Sequence, residues 1–209
     1  MATTEGQVIL ITGGVRSGKS AFAERIAADW LTQFTVHSSQ SPVVYVATSR
    51  VQDGEMAARV ARHQALRPMT WQTVEEPLNL AGAVARQDTA AFLLVESVDA
   101  WVSNQLLDAS PVEGDLLDRH AMSRLEGALA GEARDLVHVR RAQGAAAPLV
   151  LVTLEAGMGV VPPYPLGRAF RDLLGLVNAT LAKEADQVYL LVAGIPVDVK
   201  RLREAQSRR

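Results

Sequence analysis

With 209 residues, 48% of them hydrophobic and 21% charged, the chain has the size and composition of one folded domain with a full core, which excludes disordered, collagen-like and low-complexity classes. Twenty-one Lys and Arg against 23 Asp and Glu give a formal net charge of -2 and a pI near 6.1, so no global positive field is present to hold a nucleic-acid backbone. Cysteine is absent, which removes disulfides, thiolate metal sites and cysteine nucleophiles together and suits a reducing compartment. No apolar run approaches the roughly 18 residues of a membrane span. The N-terminal residues lack the basic start of a secretory signal, so a cytoplasmic location is expected.

Short β-branched apolar runs recur along the chain, with Ala- and Leu-rich amphipathic segments between them. Residues 8–12 read as a strand and 19–31 as a helix; 35–42 are polar and turn-rich and read as a surface loop. A strand at 43–47, a helix at 53–65, a candidate further strand at 70–75 and a helix at 77–87 follow. Then come a strand at 91–95, a long helix at 115–143, a strand at 149–153, a helix at 166–184 and a strand at 188–192. The strands are nearly continuous in hydrophobicity rather than alternating, which is the pattern of a parallel sheet covered on both faces. The expected fold is therefore α/β, with a mostly parallel central sheet, helices on both faces and right-handed crossovers, all in a single domain spanning 1–209. The charged segment 201–209 is expected to be a mobile tail.

Gly13, Gly14, Val15, Arg16, Ser17, Gly18, Lys19 and Ser20 match the eight-residue phosphate-loop pattern in the setting it requires, between an apolar strand and a helix. The glycines let successive backbone N–H groups converge on phosphate oxygens, and the helix adds its positive end. Lys19 reaches the outer phosphates, and the Ser20 hydroxyl is a magnesium ligand. A P-loop NTPase domain follows. Such a metal calls for a carboxylate at the end of another core strand, and Glu96, which closes the run from Phe92, fits best.

Among P-loop proteins, the guanine-reading Asn-Lys-x-Asp of regulatory GTPases and the Leu-Ser-Gly-Gly-Gln of transporter ATPases are both missing, which leaves small-molecule chemistry. Of the four histidines, His63 stands apart because Arg59, Arg62 and Arg67 surround it in sequence, a setting suited to phosphate. A lone His near a helix end is ordinarily a cap or a solvated side chain, so the residues alone leave its role open. They also leave open a P-loop kinase for another small alcohol and a nucleotide-dependent regulatory module.

The phosphate loop, then Tyr45-Val46-Ala47-Thr48-Ser49, then Glu55 to His63, then Arg67-Pro68 and Trp71 to Glu76 resemble the bifunctional adenosylcobinamide kinase/adenosylcobinamide-phosphate guanylyltransferase family. Glu96 to Asn104, Gly157 to Pro162 and Phe170 to Asn178 continue the likeness. The resemblance implies that ATP or GTP phosphorylates adenosylcobinamide. GMP from GTP is then transferred to adenosylcobinamide phosphate through a guanylyl-histidine, giving adenosyl-GDP-cobinamide and pyrophosphate. It places the covalent histidine at His63, in addition to Lys19, which the phosphate loop makes the other catalytic residue. It also carries nucleotide contacts over to the loop, to Ala47, Thr48 and Ser49, to Gln64, Ala65, Leu66 and Arg67, and to Glu75 and Glu96, with Ser20 and Glu96 on Mg2+. A homo-oligomer is implied as well, since family members can be trimers. Two departures stand out: Leu154 occupies a position where the family often has Asn, and the loop 35–42 looks longer than usual.

Overall fold

In the computed structural model, which describes residues 6–34, 43–50, 54, 68–110 and 118–207, the apolar runs all become strands of one sheet. In chain order the elements are β1 Val8–Gly13, α1 Lys19–Phe34, β2 Val43–Ala47, β3 Gln72–Glu75, α2 Leu80–Ala85, β4 Phe92–Glu96 and α3 Val98–Ala109. After them come α4 Arg119–Ala142, β5 Leu149–Val152, α5 Pro165–Glu184, β6 Gln187–Val192, β7 Ile195–Asp198 and α6 Val199–Ser207. The strand order is β3-β2-β4-β5-β1-β6-β7, parallel throughout except for β7, which runs antiparallel to β6.

Successive strand residues point to opposite faces, so each apolar run feeds two cores. Val8, Leu10, Leu93, Val95, Leu149, Leu151 and Val188 pack under residues of α2, α3, α4 and α5. Ile9, Ile11, Phe92, Leu94, Val150, Tyr189 and Leu191 pack on the other side under Phe22, Ala23, Ile26, Ala27 and Trp30 of α1. Among the described residues α1 is the one helix contributing to that second core. Because the strands are parallel, their C-terminal ends gather at one edge, where α1, α3 and α5 begin.

The helix expected at 77–87 is confined to Leu80–Ala85, since Asn79 caps it by accepting the Gly82 N–H at 2.8 Å. Asp118 does the same for α4 through Ala121 N–H at 2.7 Å, so the long helix starts later than 115. Three elements depart from expectation. Helix α3, capped by Ser97, was hidden behind its mixed composition, and β7 follows a two-residue turn in which Ala193 and Gly194 both have positive φ. Residues 201–207, expected as a mobile tail, form most of α6. Asp198 accepts the Arg201 N–H at 3.0 Å, and the Lys200 ammonium is tied to Ala185 O. The loop 35–42 and the helix expected at 53–65, Gly54 apart, lie outside the described residues.

Opposite the C-terminal edge, Arg140 of α4 is buried and donates to the carbonyls of Asp88, Thr89, Ala91 and Ala147, clamping the turns that lead into β4 and β5. Arg140→Met keeps the apolar stem but leaves these carbonyls unpaired, and is expected to cost about 3 kcal/mol or more of stability by urea unfolding. A loss within about 1 kcal/mol, the size of one ordinary hydrogen bond, would contradict the clamp.

Candidate active site

The phosphate loop is held by close backbone passages that only glycine allows. A Cβ on Gly13 would lie 2.5 Å from Leu191 O of β6, and one on Gly18, whose φ is +94°, would lie 3.3 Å from Gly194 Cα. The Gly194 N–H donates to Ser17 O at 2.9 Å and the Glu155 N–H to Gly13 O at 3.0 Å, so the loop is pinned both by the β6–β7 turn and by the exit of β5. Arg16 sits at its exposed tip with φ +57°.

Lys19 Nζ donates to Gly14 O at 2.8 Å, spanning the loop. In the first turn of α1 the Ser20 hydroxyl donates to Glu96 Oε1, although β5 lies between β4, which ends in Glu96, and β1, which leads into α1. The other carboxylate oxygen of Glu96 is buried with no hydrogen-bond partner in the structure. A hydroxyl and a carboxylate with one unengaged buried oxygen form a hard-oxygen donor set of the kind that suits Mg2+, which completes its shell with waters and phosphate oxygens. No cluster of three or more His, Asp or Glu able to hold a metal exists among the described residues.

Asp99, three residues beyond Glu96, is the residue that sequence reasoning missed. It lies in the first turn of α3 and is half-buried. Burial pushes its carboxyl above the usual aspartate range, against hydrogen bonds from Ser97, from its own N–H and from the Leu154 N–H, and against the charge of Lys19. Burial likewise pushes the Lys19 ammonium down, opposed by Asp99 and Glu96. Leu154 serves here through its backbone: its N–H goes to Asp99, and its carbonyl accepts from Asn178 Nδ2 at 2.9 Å. Expecting a helix right after Glu96 would have put Glu96 and Asp99 at one helix entrance.

The remaining sequence candidates are distributed unevenly. Thr48 is buried; its hydroxyl accepts the Ser97 N–H and donates to Ser97 O, both at 2.7 Å, so it ties β2 to the start of α3. Ala47 is half-buried, and Ser49 is exposed at the same edge. Arg50, next along, is paired in two-pronged fashion with Asp108 of α3. Glu75 is exposed at the end of β3, opposite Ala47 in the ladder. His63, Gln64, Ala65, Leu66 and Arg67 lie outside the described residues.

A glycine-clamped loop between a parallel strand and its helix, with a carboxylate from a second strand on the loop serine, defines a P-loop nucleotide-binding α/β protein. Residues 9–199 match the family described as cobinamide kinase / cobinamide phosphate guanyltransferase, and the chain belongs to that family. It is 40% identical over 195 residues to the bifunctional adenosylcobalamin biosynthesis protein CobU of Escherichia coli, covering 92% of this chain and 99% of that one. It is 37% identical over 192 residues to the bifunctional adenosylcobalamin biosynthesis protein CobP of Pseudomonas aeruginosa, covering 91% and 96%. Among solved structures, the flagellar accessory protein FlaH of Methanocaldococcus jannaschii aligns with TM-score 0.46 at 11% identity, covering 93% of this chain and 76% of that one. The chain is a bifunctional kinase and guanylyltransferase of adenosylcobalamin biosynthesis.

Because the folded-state pKa of Asp99 lies above its unfolded value, the folded protein binds the extra proton. Asp99 therefore subtracts stability as pH rises from the ordinary aspartate value through the raised one. Asp99→Asn is expected to melt no lower than the parent at pH 7, with any advantage fading as the pH approaches about 4. Its kinase turnover is expected to fall about tenfold or more, since Lys19 loses a charged neighbour. Melting curves across pH, paired with turnover, check this; a destabilised protein with unchanged turnover would contradict it.

Proposed function

We propose that the loop from Gly13 to Ser20 binds the triphosphate of ATP or GTP, with Lys19 on the outer phosphates and Ser20 and Glu96 holding Mg2+. The observation that carries this reading is the Ser20–Glu96 contact with its unengaged carboxylate oxygen. When bound, the ion neutralises charge on the phosphate oxygens. The hydroxyl of adenosylcobinamide attacks the γ-phosphorus in line, the bond to the nucleoside diphosphate breaks, and the hydroxyl proton is lost to solvent. The Lys19 ammonium, which spans the loop by donating to Gly14 O, supports this role. Ala47, Thr48, Ser49 and Glu75 form the border of the nucleotide site at the ends of β2 and β3. In this reading Thr48 acts by holding the Ser97 peptide rather than by touching ligand.

The second reaction uses His63. Its imidazole nitrogen attacks the α-phosphorus of GTP, the bond to pyrophosphate breaks, and a phosphoramidate forms. An oxygen of adenosylcobinamide phosphate then displaces the histidine, giving adenosyl-GDP-cobinamide. Gln64, Ala65, Leu66 and Arg67 attend the same nucleotide. The enzyme acts as a homo-oligomer, as its family resemblance implies, in the cytoplasm, where both nucleotides are supplied.

Lys19→Ala is expected to weaken triphosphate use by about a hundredfold or more while the protein stays folded, and Glu96→Gln to lower activity and raise the magnesium concentration needed. Isothermal titration with nucleotide and metal checks both, and parental affinity in folded Lys19→Ala would refute the site. For His63, incubation with α-labelled GTP should label the protein with an acid-labile, base-stable linkage, whereas γ-label should not transfer. His63→Ala should abolish labelling and GMP transfer yet keep phosphorylation. Robust α-labelling of His63→Ala would remove the histidine from the mechanism.

A further inference from the structure

Two segments anchored directly to the phosphate loop turn large apolar side chains into solvent. The first follows β5: Met158 is 78% exposed, Val160 95% and Tyr164 74%. The second is the β6–β7 hairpin, where Val192 is 56% exposed and Ile195 66%. Isolated exposed apolar residues are ordinary, but five on two neighbouring segments mark a binding surface.

Both segments face the same way. Val192 lies an even number of residues from Val188, which belongs to the core under α5, so along the strand it shares that face; Ile195 is its cross-strand partner. The loop after β5 leads into α5 on the same side, and Leu154, Ala156 and Leu166 pack against that core. β1 and its phosphate loop lie between β5 and β6, so the apolar segments stand on either side of the loop. Their anchors are the Glu155 N–H on Gly13 O and the Gly194 N–H on Ser17 O.

The first segment is also built to hold its shape. Arg168 Nη1 donates to Pro162 O at 3.2 Å and to Pro163 O at 2.7 Å, and the Gly157 N–H donates to Glu155 Oε1 at 2.6 Å. A Cβ on Gly167 would lie 2.9 Å from Pro162 Cβ, so the loop packs closely on α5. Directly beyond Tyr164, a cleft of about 520 Å³ opens between α4 and α5, lined by Pro165, Met122 and Leu173 together with Arg119, Ser123 and Arg168. The apolar residues of the two segments form a shelf, and the first segment leads through Tyr164 and Pro165 to a cleft whose lining adds hydrogen-bonding and charged groups, Glu126 and Asp172 among them.

We propose that this shelf and cleft receive the corrinoid substrate, the flat apolar macrocycle lying on Val160, Tyr164, Val192 and Ile195 and its amide side chains entering the cleft. This rests on the phosphate loop being the triphosphate site. The acceptor hydroxyl of a cobinamide sits on a short arm of a large amphipathic ring, so delivering that hydroxyl to the γ-phosphate puts the ring on whatever borders the loop. On both flanks toward α5 the border is apolar and restrained, which lowers the ordering cost of binding.

The test uses Val160→Asp and Ile195→Asp, whose exposed positions spare the core, and Ser123→Trp, which fills the cleft without touching the shelf. Adenosylcobinamide binding is followed by equilibrium dialysis, nucleotide binding by titration with ATP, and molecular mass by light scattering. Each variant is expected to raise the corrinoid Kd about tenfold or more while ATP affinity stays within about twofold, because a carboxylate cannot pair with an apolar ring face and the triphosphate is held elsewhere. Unchanged corrinoid affinity in the folded variants overturns the proposal. So does a rise in Kd that appears only together with a fall in molecular mass, since that assigns the shelf to a second copy of the chain. Lys19→Ala, run in parallel, separates the two readings. If ATP affinity survives in Lys19→Ala the triphosphate assignment fails; if it is lost there while corrinoid affinity is untouched in the shelf variants, only the corrinoid surface fails.

Discussion

The passage of Gly13 against the Leu191 carbonyl is the constraint on which the rest of the site depends. With no room for a Cβ there, β1 can end flush against β6, and the chain can turn into α1 over the ends of the strands. The same closeness lets the β6–β7 turn reach the loop and bond Ser17 O through Gly194, while β5 bonds Gly13 O from the other side. A loop clamped at both ends holds its backbone in one arrangement, which is what an anion site at a helix N-terminus needs.

Strand order then decides where Glu96, the carboxylate proposed to hold the metal, stands. β5 lies between β1 and β4, so Glu96 must reach across the end of β5 to meet Ser20. The end of that strand is kept tidy by Thr153 and Asn178, whose side chains bond at 2.7 Å. Into this corner the fold also drives Asp99 and Lys19, two opposite charges whose pKa values burial moves in opposite directions. Each is costly to desolvate, and together they make an environment already polarised for a developing charge. Stability is given up at the place where the chemistry needs fixed dipoles.

One chain that carries out both phosphoryl and nucleotidyl transfer must present two kinds of group to phosphorus. The phosphate loop works by position and charge alone, and needs no covalent partner. The guanylyl carrier, proposed at His63, has to be a neutral nucleophile among cations. The sequence separates these functions, with the loop at the first strand–helix turn and the histidine in a later arginine-rich segment.

The sequence by itself determined the parallel α/β sheet, the phosphate loop and the place of Glu96 at the end of a core strand, because each is written in local pattern. Continuous Val, Ile and Leu runs need two covered faces, the glycine spacing needs a strand before it and a helix after it, and the acid closes its own strand. What escaped was set by contacts distant in the chain. Helix α3 lacks a strong apolar stripe, and the antiparallel β7 depends on an Ala193–Gly194 turn without the usual Asn or Asp signal. The C-terminal helix is held by Lys200 on a carbonyl fifteen residues earlier. Asp99 reads in the sequence as one more surface acid. Only tertiary structure, by laying the start of α3 against Lys19 and the Leu154 N–H, buries it and gives it a partner, because burial and charge pairing belong to the packed arrangement of strands and not to any stretch of residues.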